Sequence, residues 1–377
     1  MKKSPSTHAA PQGPDYPWAS AVPQAGDSIE VGPGVRWLRM PLPFALDHIN
    51  LWLLRDELDV TDGSMPGWSV VDCGMADECT RSAWEQVFAT QLLGLPVLRV
   101  IATHMHPDHV GLAHWLTQRW SRPASHGGEA FDCRLWMSAT EYAAARLGSR
   151  SDNWTGGEAA AAFMAAHGLT DAASIELIRT RAGYYASMVP QVPAAYRRLT
   201  DGSVLSIGGV QAAGRHDWCC IAGYGHSPEH LALHCASLGL LISGDMLLPR
   251  ISTNVSVGHD EPEGNPLAAF LASLERMRTL PDNTLVLPSH GKPFRGLQSR
   301  IDQLQAHHAA RLSEVMSACA GSPRSAADLL TVLFRRPLDV HQTTFAMGES
   351  IAHLNALWHD GKLVRRLRDG IYRFSPA

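Results

Sequence analysis

The chain has 377 residues, 45% hydrophobic and 18% charged, a balance that excludes a disordered chain or a lone small module and predicts about two domains. Lys and Arg total 32 against 36 Asp and Glu, a formal charge of −4 that excludes a general polyanion binder and leaves nucleic acid only a local role. Seven cysteines, odd in number and without a C-x-x-C, point to reduced thiols in a cytoplasm, and no run is long and apolar enough to span a membrane.

Residues 1–27, with Pro11, Pro14, Pro17 and Pro23, read as a flexible tail, and Ser4–Ser20 lacks the apolar centre of a signal peptide. Short apolar runs follow at Ser69–Gly74, Val97–His104, Leu240–Asp245 and Leu285–His290, each delivering small or polar residues at its end, as buried strands do. Helical patterns at Asp77–Leu93, Val110–Trp120 and Pro266–Thr279 alternate with them, so residues 28–298 are predicted to form one α/β domain. Within it, residues 141–199 are Ala-rich and carry Ile175, Ile178, Ala182, Tyr185 and Val189 at helical spacing, which predicts a helical insertion. Residues 299–377 hold ten Lys/Arg against seven Asp/Glu, helices at Arg300–Cys319, Ser325–Phe334 and Phe345–Trp358, and a hairpin about Asp369-Gly370; three helices and a hairpin predict a winged-helix domain.

The chemistry concentrates in Thr103-His104-Met105-His106-Pro107-Asp108-His109. Side chains alternate along an extended strand end, so His104 and His106 share a side, while Pro107 turns the chain and Asp108 and His109 open a helix. Imidazole and carboxylate suit borderline divalent ions, and four such groups in six residues exceed what one tetrahedral ion takes from a single loop. Two ions are therefore expected. Further donors stand at strand ends beside Gly or Ser: His226 in Gly225-His226-Ser227, Asp245 in Ser243-Gly244-Asp245 and His290 in Ser289-His290-Gly291. A lone His in such a place is more often an ordinary hydrogen-bonded histidine, and it is the joint, ordered pattern that outweighs that reading. His259 reads as a plain surface residue, and Cys219-Cys220 as structural.

In these motifs the chain resembles the metallo-β-lactamase superfamily, an αββα sandwich hydrolase fold with an H-x-H-x-D-H motif. The resemblance covers roughly residues 28–298. It implies that His104, His106 and His226 hold one divalent ion, that Asp108, His109 and His290 hold the other, and that Asp245 bridges them. Asp72 matches the family's first motif Asp, which supports the site without binding metal, and His230 is a candidate for the same supporting layer. Zinc is the implied metal, with iron or manganese as alternatives. Asp at position 245, where the true β-lactamases have Cys or Ser, places the chain with the glyoxalase II and lactamase-beta-2-like branches. The latter resemblance extends to the tail through His307-His308-x-x-Arg311, Glu349-x-x-x-His353 and the Asp369-Gly370 hairpin.

The expected activity is a dinuclear metal-dependent hydrolase that uses a hydroxide held between the ions, with Asp108 and Asp245 as catalytic carboxylates. A thioester, carboxylic ester or lactone is the favoured small-molecule acyl substrate, with Tyr184, Tyr185 and Met188 of the insertion as its walls. The alternative is a single-strand RNA endonuclease, weakened by a charge of only +3 over residues 299–377. A homodimer is an open option, and no membrane partner is expected.

Overall fold

A computed structural model describes residues 13–60, 63–122, 130–150, 156–210, 214–335 and 337–377. Its strands are β1 Ser28–Gly32, β2 Val35–Pro41, β3 His48–Val60, β4 Gly63–Val71, β5 Val97–Ile101, β6 Arg134–Ser138, β7 Tyr196–Leu199, β8 Val204–Gly209, β9 Gly214–Gly223, β10 His230–Cys235, β11 Leu240–Gly244, β12 Leu285–Pro288, β13 Leu363–Arg368 and β14 Ile371–Pro376. The helices are α1 Glu78–Thr90, α2 Pro107–Val110, α3 Ala113–Trp120, α4 Ala139–Gly148, α5 Gly157–Ala166, α6 Ala172–Thr180, α7 Tyr184–Met188, α8 Pro266–Met277, α9 Leu297–Gly321, α10 Leu330–Leu333 and α11 Val340–His359.

Strands β1 to β7 form one sheet in sequence order, and β12-β11-β10-β9-β8 form a second. Period-two alternation sorts their side chains to the two faces. On β3, Trp52 and Leu54 enter the core between the sheets, whereas Ile49, Leu51 and Leu53 enter a core that also holds Trp84 of α1 and Leu116 of α3. On β11 and β12, Leu240, Ile242, Leu285 and Leu287 face the middle, and Leu241 and Val286 face Phe270 of α8, Ile301 of α9 and Met347 of α11. The result is the αββα sandwich of the metallo-β-lactamase fold, with strands covered on both faces as their continuous apolar runs require.

Three expectations need correction. Residues 1–12 lie outside the described residues, but from Asp15 onward the N-terminal segment is not a free tail. Asp15 pairs with Arg295 through both backbone amides, Trp18 and Val22 pack on the inter-sheet core, and Pro23 is buried. Its aromatic residues anchor a stretch whose prolines alone read as disordered. The supposed insertion is also not one unit: residues 151–155 lie outside the described residues, α4 grows directly from β6, and Tyr196–Leu199 is the edge strand β7, paired in parallel with β6. Its apolar stripe is split by Gly183, whose φ of +73° resets the helix phase. Ile175 and Ile178 join the α9–α11 core, whereas Tyr185 and Val189 join the α1–α3 core. Finally, the expected helix Ser325–Phe334 is only a 3-10 turn at Ala327–Leu329 followed by the short α10.

The Asp369-Gly370 hairpin is as expected, with φ of +50° and +77° in a two-residue turn between β13 and β14. The C-terminal helices share their apolar cluster with α8 and the second sheet. No described helix is long and apolar enough to cross a membrane.

Within α11, burial pushes the Glu349 carboxyl up to about 7, against the pull of the Arg311 guanidinium. The folded chain then keeps a proton that the unfolded chain releases near pH 4.3, so this group removes stability as pH rises from about 4.3 to about 7. Glu349→Gln is expected to raise the Tm over the native protein at pH 8 and to leave it nearly unchanged at pH 4. Thermal unfolding across that range checks this, and a difference independent of pH contradicts it.

Candidate metal centre

The site lies where strand ends from both sheets meet. Chain leaving β5 forms the His104–His106 turn, and Pro107 at the first position of α2 starts the single helical turn carrying Asp108 and His109. Gly111 closes that turn where a Cβ would meet the carbonyl of Gly74 at 2.8 Å and that of Pro107 at 2.4 Å, so the two backbones can approach only at a glycine. His226 follows β9, Asp245 follows β11 and His290 follows β12. Gly244 has a φ of +54° and stands where a Cβ would lie 2.1 Å from His230 Nε2, so no larger residue could hold Asp245 in this place.

Two groups of donors result. His104, His106, His226 and Asp245 offer atoms all within 4.8 Å of one another, and so do Asp108, His109 and His290. In the first group His104 Nε2 lies 2.9 Å from His106 Nδ1 and 3.3 Å from His226 Nε2, and Asp245 Oδ2 lies 3.4 Å from His226 Nε2. In the second, His290 Nε2 is 3.4 Å from Asp108 Oδ2, and His109 Nε2 is 3.6 Å from the same oxygen. Asp245 joins the groups, because its Oδ1 lies 3.4 Å from His290 Nε2 and 3.7 Å from His109 Nε2.

These donors fit divalent ions. Tetrahedral bonds of about 2.0–2.1 Å put ligand atoms about 3.3–3.4 Å apart, close to most of the separations found. His109 Nε2 and Asp245 Oδ1 are buried without a hydrogen-bond partner, a state that is costly unless a cation takes their lone pairs. Burial, then the neighbouring imidazoles, holds His104 and His106 well below the usual histidine value, so both are neutral and ready to coordinate. Burial also opposes charge on His109, yet the carboxylates of Asp108, Asp72 and Asp245 hold its imidazole well above that value.

The far sides of His104, His109, His226 and His290 are held. Asp72, at a φ of +64° after β4, accepts from the Thr103 amide at 2.7 Å, the Thr103 hydroxyl at 3.0 Å and His109 Nδ1 at 2.8 Å. His104 Nδ1 lies 3.0 Å from the Thr103 hydroxyl. His226 Nδ1 donates to the Asn254 carbonyl and His290 Nδ1 to the His48 carbonyl, both at 2.8 Å. Such bonds fix the tautomer and aim the other nitrogen at the centre. His230 is fully buried, and its Nε2 accepts the Asp245 amide at 3.2 Å. It therefore stands behind the centre and touches no substrate.

Of the three expected wall residues, Tyr185 is buried away from any wall. Tyr185 is 2% exposed, lies in the α1–α3 core and donates its hydroxyl to the Met105 carbonyl at 2.5 Å, beneath the His104–His106 turn. Tyr184 is half-buried under the Arg181 guanidinium, 5.6 Å from its ring, and Met188 packs against the same core as Tyr185. His259 is half-buried in the loop before α8.

Sequence reasoning missed Glu141. Fully buried at the start of α4, it accepts from the Met105 amide at 2.9 Å and from the Ser227 hydroxyl and Glu229 amide, both at 2.6 Å. One carboxylate thus ties the His104–His106 turn to the His226 loop. Its only sequence signal is Ser138-x-x-Glu141, which reads as a helix capping box; the Ser138 hydroxyl does accept the Glu141 amide, but the carboxylate turns to the ligand loops.

Comparison with known proteins shows the family. Residues 63–290 match the Metallo-beta-lactamase superfamily model, and residues 312–377 match the model of the Metallo-beta-lactamase-like, C-terminal domain. A Bacillus subtilis (strain 168) protein described as "Probable metallo-hydrolase YqjP" is 23% identical over 333 residues, 85% of this chain and 91% of its own. The crystal structure of a beta-lactamase domain protein from Burkholderia ambifaria is 54% identical, with a TM-score of 0.86 over 97% of this chain and 98% of that one. A metallo-beta-lactamase family protein from Thermus thermophilus is 27% identical, with a TM-score of 0.70 over 91% and 99%.

Glu141→Ala is expected to leave three donors unpaired, to cost about 2–4 kcal/mol of stability and to weaken metal binding about 10–100-fold. Chemical denaturation and chelator competition measure both. Native metal affinity in a destabilised variant contradicts the tie between the two loops.

Proposed function

The chain belongs to the metallo-beta-lactamase superfamily of metal-dependent hydrolases, and from that premise we propose that it hydrolyses carboxylic thioesters, esters or lactones with two divalent ions at the centre just described. The observation that carries the reading is Asp245, whose two carboxylate oxygens face His226 and His290 respectively at 3.4 Å. His104, His106 and His226 with one of these oxygens would hold one ion, and Asp108, His109 and His290 with the other would hold the second. When bound, such ions lower the pKa of a water and polarise the scissile carbonyl.

This chain's residues do the rest. The neutral imidazoles of His104 and His106 coordinate without first losing a proton. Asp245 stays ionised because His290 and His109 offset the effect of its burial. Asp108, with 20% side-chain exposure against 11% for Asp245, is the carboxylate open to the attacking water and accepts its proton.

The acyl reading draws support from the groove beside His226. This cavity of about 320 Å³ is lined by Tyr224, Pro228, Val257, Asp260 and Glu261 and, among the described residues, holds no Lys or Arg, which suits an uncharged acyl group and opposes a phosphate backbone. Zinc is the metal favoured by the imidazole-rich set, with iron or manganese as alternatives.

Elemental analysis of the metal-saturated protein is expected to give two ions per chain, and Asp245→Ala to give fewer and to lower kcat at least about 10²-fold. Assay against acyl-CoA thioesters, glutathione thioesters, lactones and oligoribonucleotides is expected to show turnover of a carbonyl substrate. Cleavage of oligoribonucleotides alone contradicts the acyl assignment.

A further inference from the structure

We propose that Arg300 is a positioning residue of the metal centre: from α9 it holds the segment Met246–Val257 so that the Asn254 carbonyl can aim His226. The inference rests on the two-ion reading above and extends it to the C-terminal part of the chain.

Arg300 is 7% exposed, and its side chain reaches no carboxylate among the described residues. A guanidinium in that setting is expensive unless its donors are satisfied. Two of them go to the loop after Asp245, Nε to the Leu248 carbonyl at 2.7 Å and Nη2 to the Ile251 carbonyl at 2.8 Å, and Nη1 donates within α9 to Gln303 Oε1 at 3.1 Å. Only a planar fork with several fixed donors can span two carbonyls of one loop in this way.

The same loop is held at three further points. The Thr253 hydroxyl donates to the Asp245 carbonyl, the Ser256 hydroxyl donates to Asn254 Oδ1 at 2.7 Å, and the Val257 amide donates to the Gly348 carbonyl of α11 at 3.2 Å. Gly348 permits that approach, since a Cβ there would lie 2.7 Å from the Ser256 side chain. Met246, Leu247, Val255 and Val257 are buried in the cluster shared with α9 and α11. Between these fixed points the Asn254 carbonyl accepts from His226 Nδ1, so the placement of one ligand of the first group depends on helices that supply no donor to the centre. The second group is held separately, by Asp72 and the His48 carbonyl. Loss of Arg300 should therefore act on one group and spare the other.

The test uses Arg300→Met, which removes the donors but keeps an unbranched apolar stem, and Arg300→Lys, which keeps the charge but reaches one carbonyl at most. In the metal-free protein, long-range proton–nitrogen spectra of labelled histidines read the His226 tautomer, with the signal identified by its absence in His226→Gln. The native protein is expected to show a protonated Nδ1, Arg300→Met a mixture of tautomers and Arg300→Lys an intermediate state. Stepwise zinc titration against a chelator is expected to show one of the two affinities weakened about 10–100-fold in Arg300→Met and the other within about 2-fold. A native His226 tautomer in both variants overturns the proposal, as does equal weakening of both affinities in step with Tm. Uptake of fewer than two ions by the native protein instead overturns the two-ion reading, and the tautomer measurement still decides the role of Arg300.

Discussion

Seven lone-pair donors crowded into one pocket repel one another, and the rest of this molecule can be read as the means of keeping them there. His104, His106 and His226 point nitrogens at one another at about 3 Å, and the two oxygens of Asp245 link them to His109, Asp108 and His290. Such a set is tolerable only if a cation shares the lone pairs and if each ring is gripped from behind. Both conditions bear on parts of the chain far from the H-x-H-x-D-H run.

The sandwich supplies the grip because strands of the two sheets end together. Asp72 after β4 and the turn after β5 come from the first sheet, and His226, Asp245 and His290 after β9, β11 and β12 come from the second. Contacts across the gap then lock the halves: His290 Nδ1 donates to the His48 carbonyl at the start of β3, and Asn50 Nδ2 donates to the Pro288 carbonyl at 2.8 Å. Glu141 adds a bond between the two ligand loops. On the proposed reading, the choice of substrate falls to the groove beside His226, since such a centre can activate water toward many electrophiles.

What the sequence discloses and what it hides divide along physical lines. Period-two alternation and Pro107 expose the pairing of His104 with His106 and the helical start at Asp108, because both depend on nearest neighbours. Gly244 and Gly291 mark strand ends because the backbone conformation there excludes larger residues. By contrast, Asn254 and His48 support ligands through backbone carbonyls, which every residue possesses, so no residue type announces them. Glu141 is hidden behind a helix-capping pattern that its amide, but not its carboxylate, fulfils. The Tyr184-Tyr185 pair misleads for a related reason: helical spacing assumes one continuous helix, and the left-handed Gly183 breaks the phase, sending Tyr185 inward beneath Met105. Residues 13–27 mislead because proline content signals disorder while Tyr16 and Trp18 supply the apolar surface that anchors the segment.

The central claim is that one carboxylate joins two metal positions. Anomalous diffraction at the zinc edge from crystals of the zinc-loaded protein tests it most directly. The account predicts two peaks, one within bonding distance of His104, His106, His226 and Asp245, the other within bonding distance of Asp108, His109, His290 and Asp245. A single peak, or two peaks of which only one touches Asp245, would contradict it.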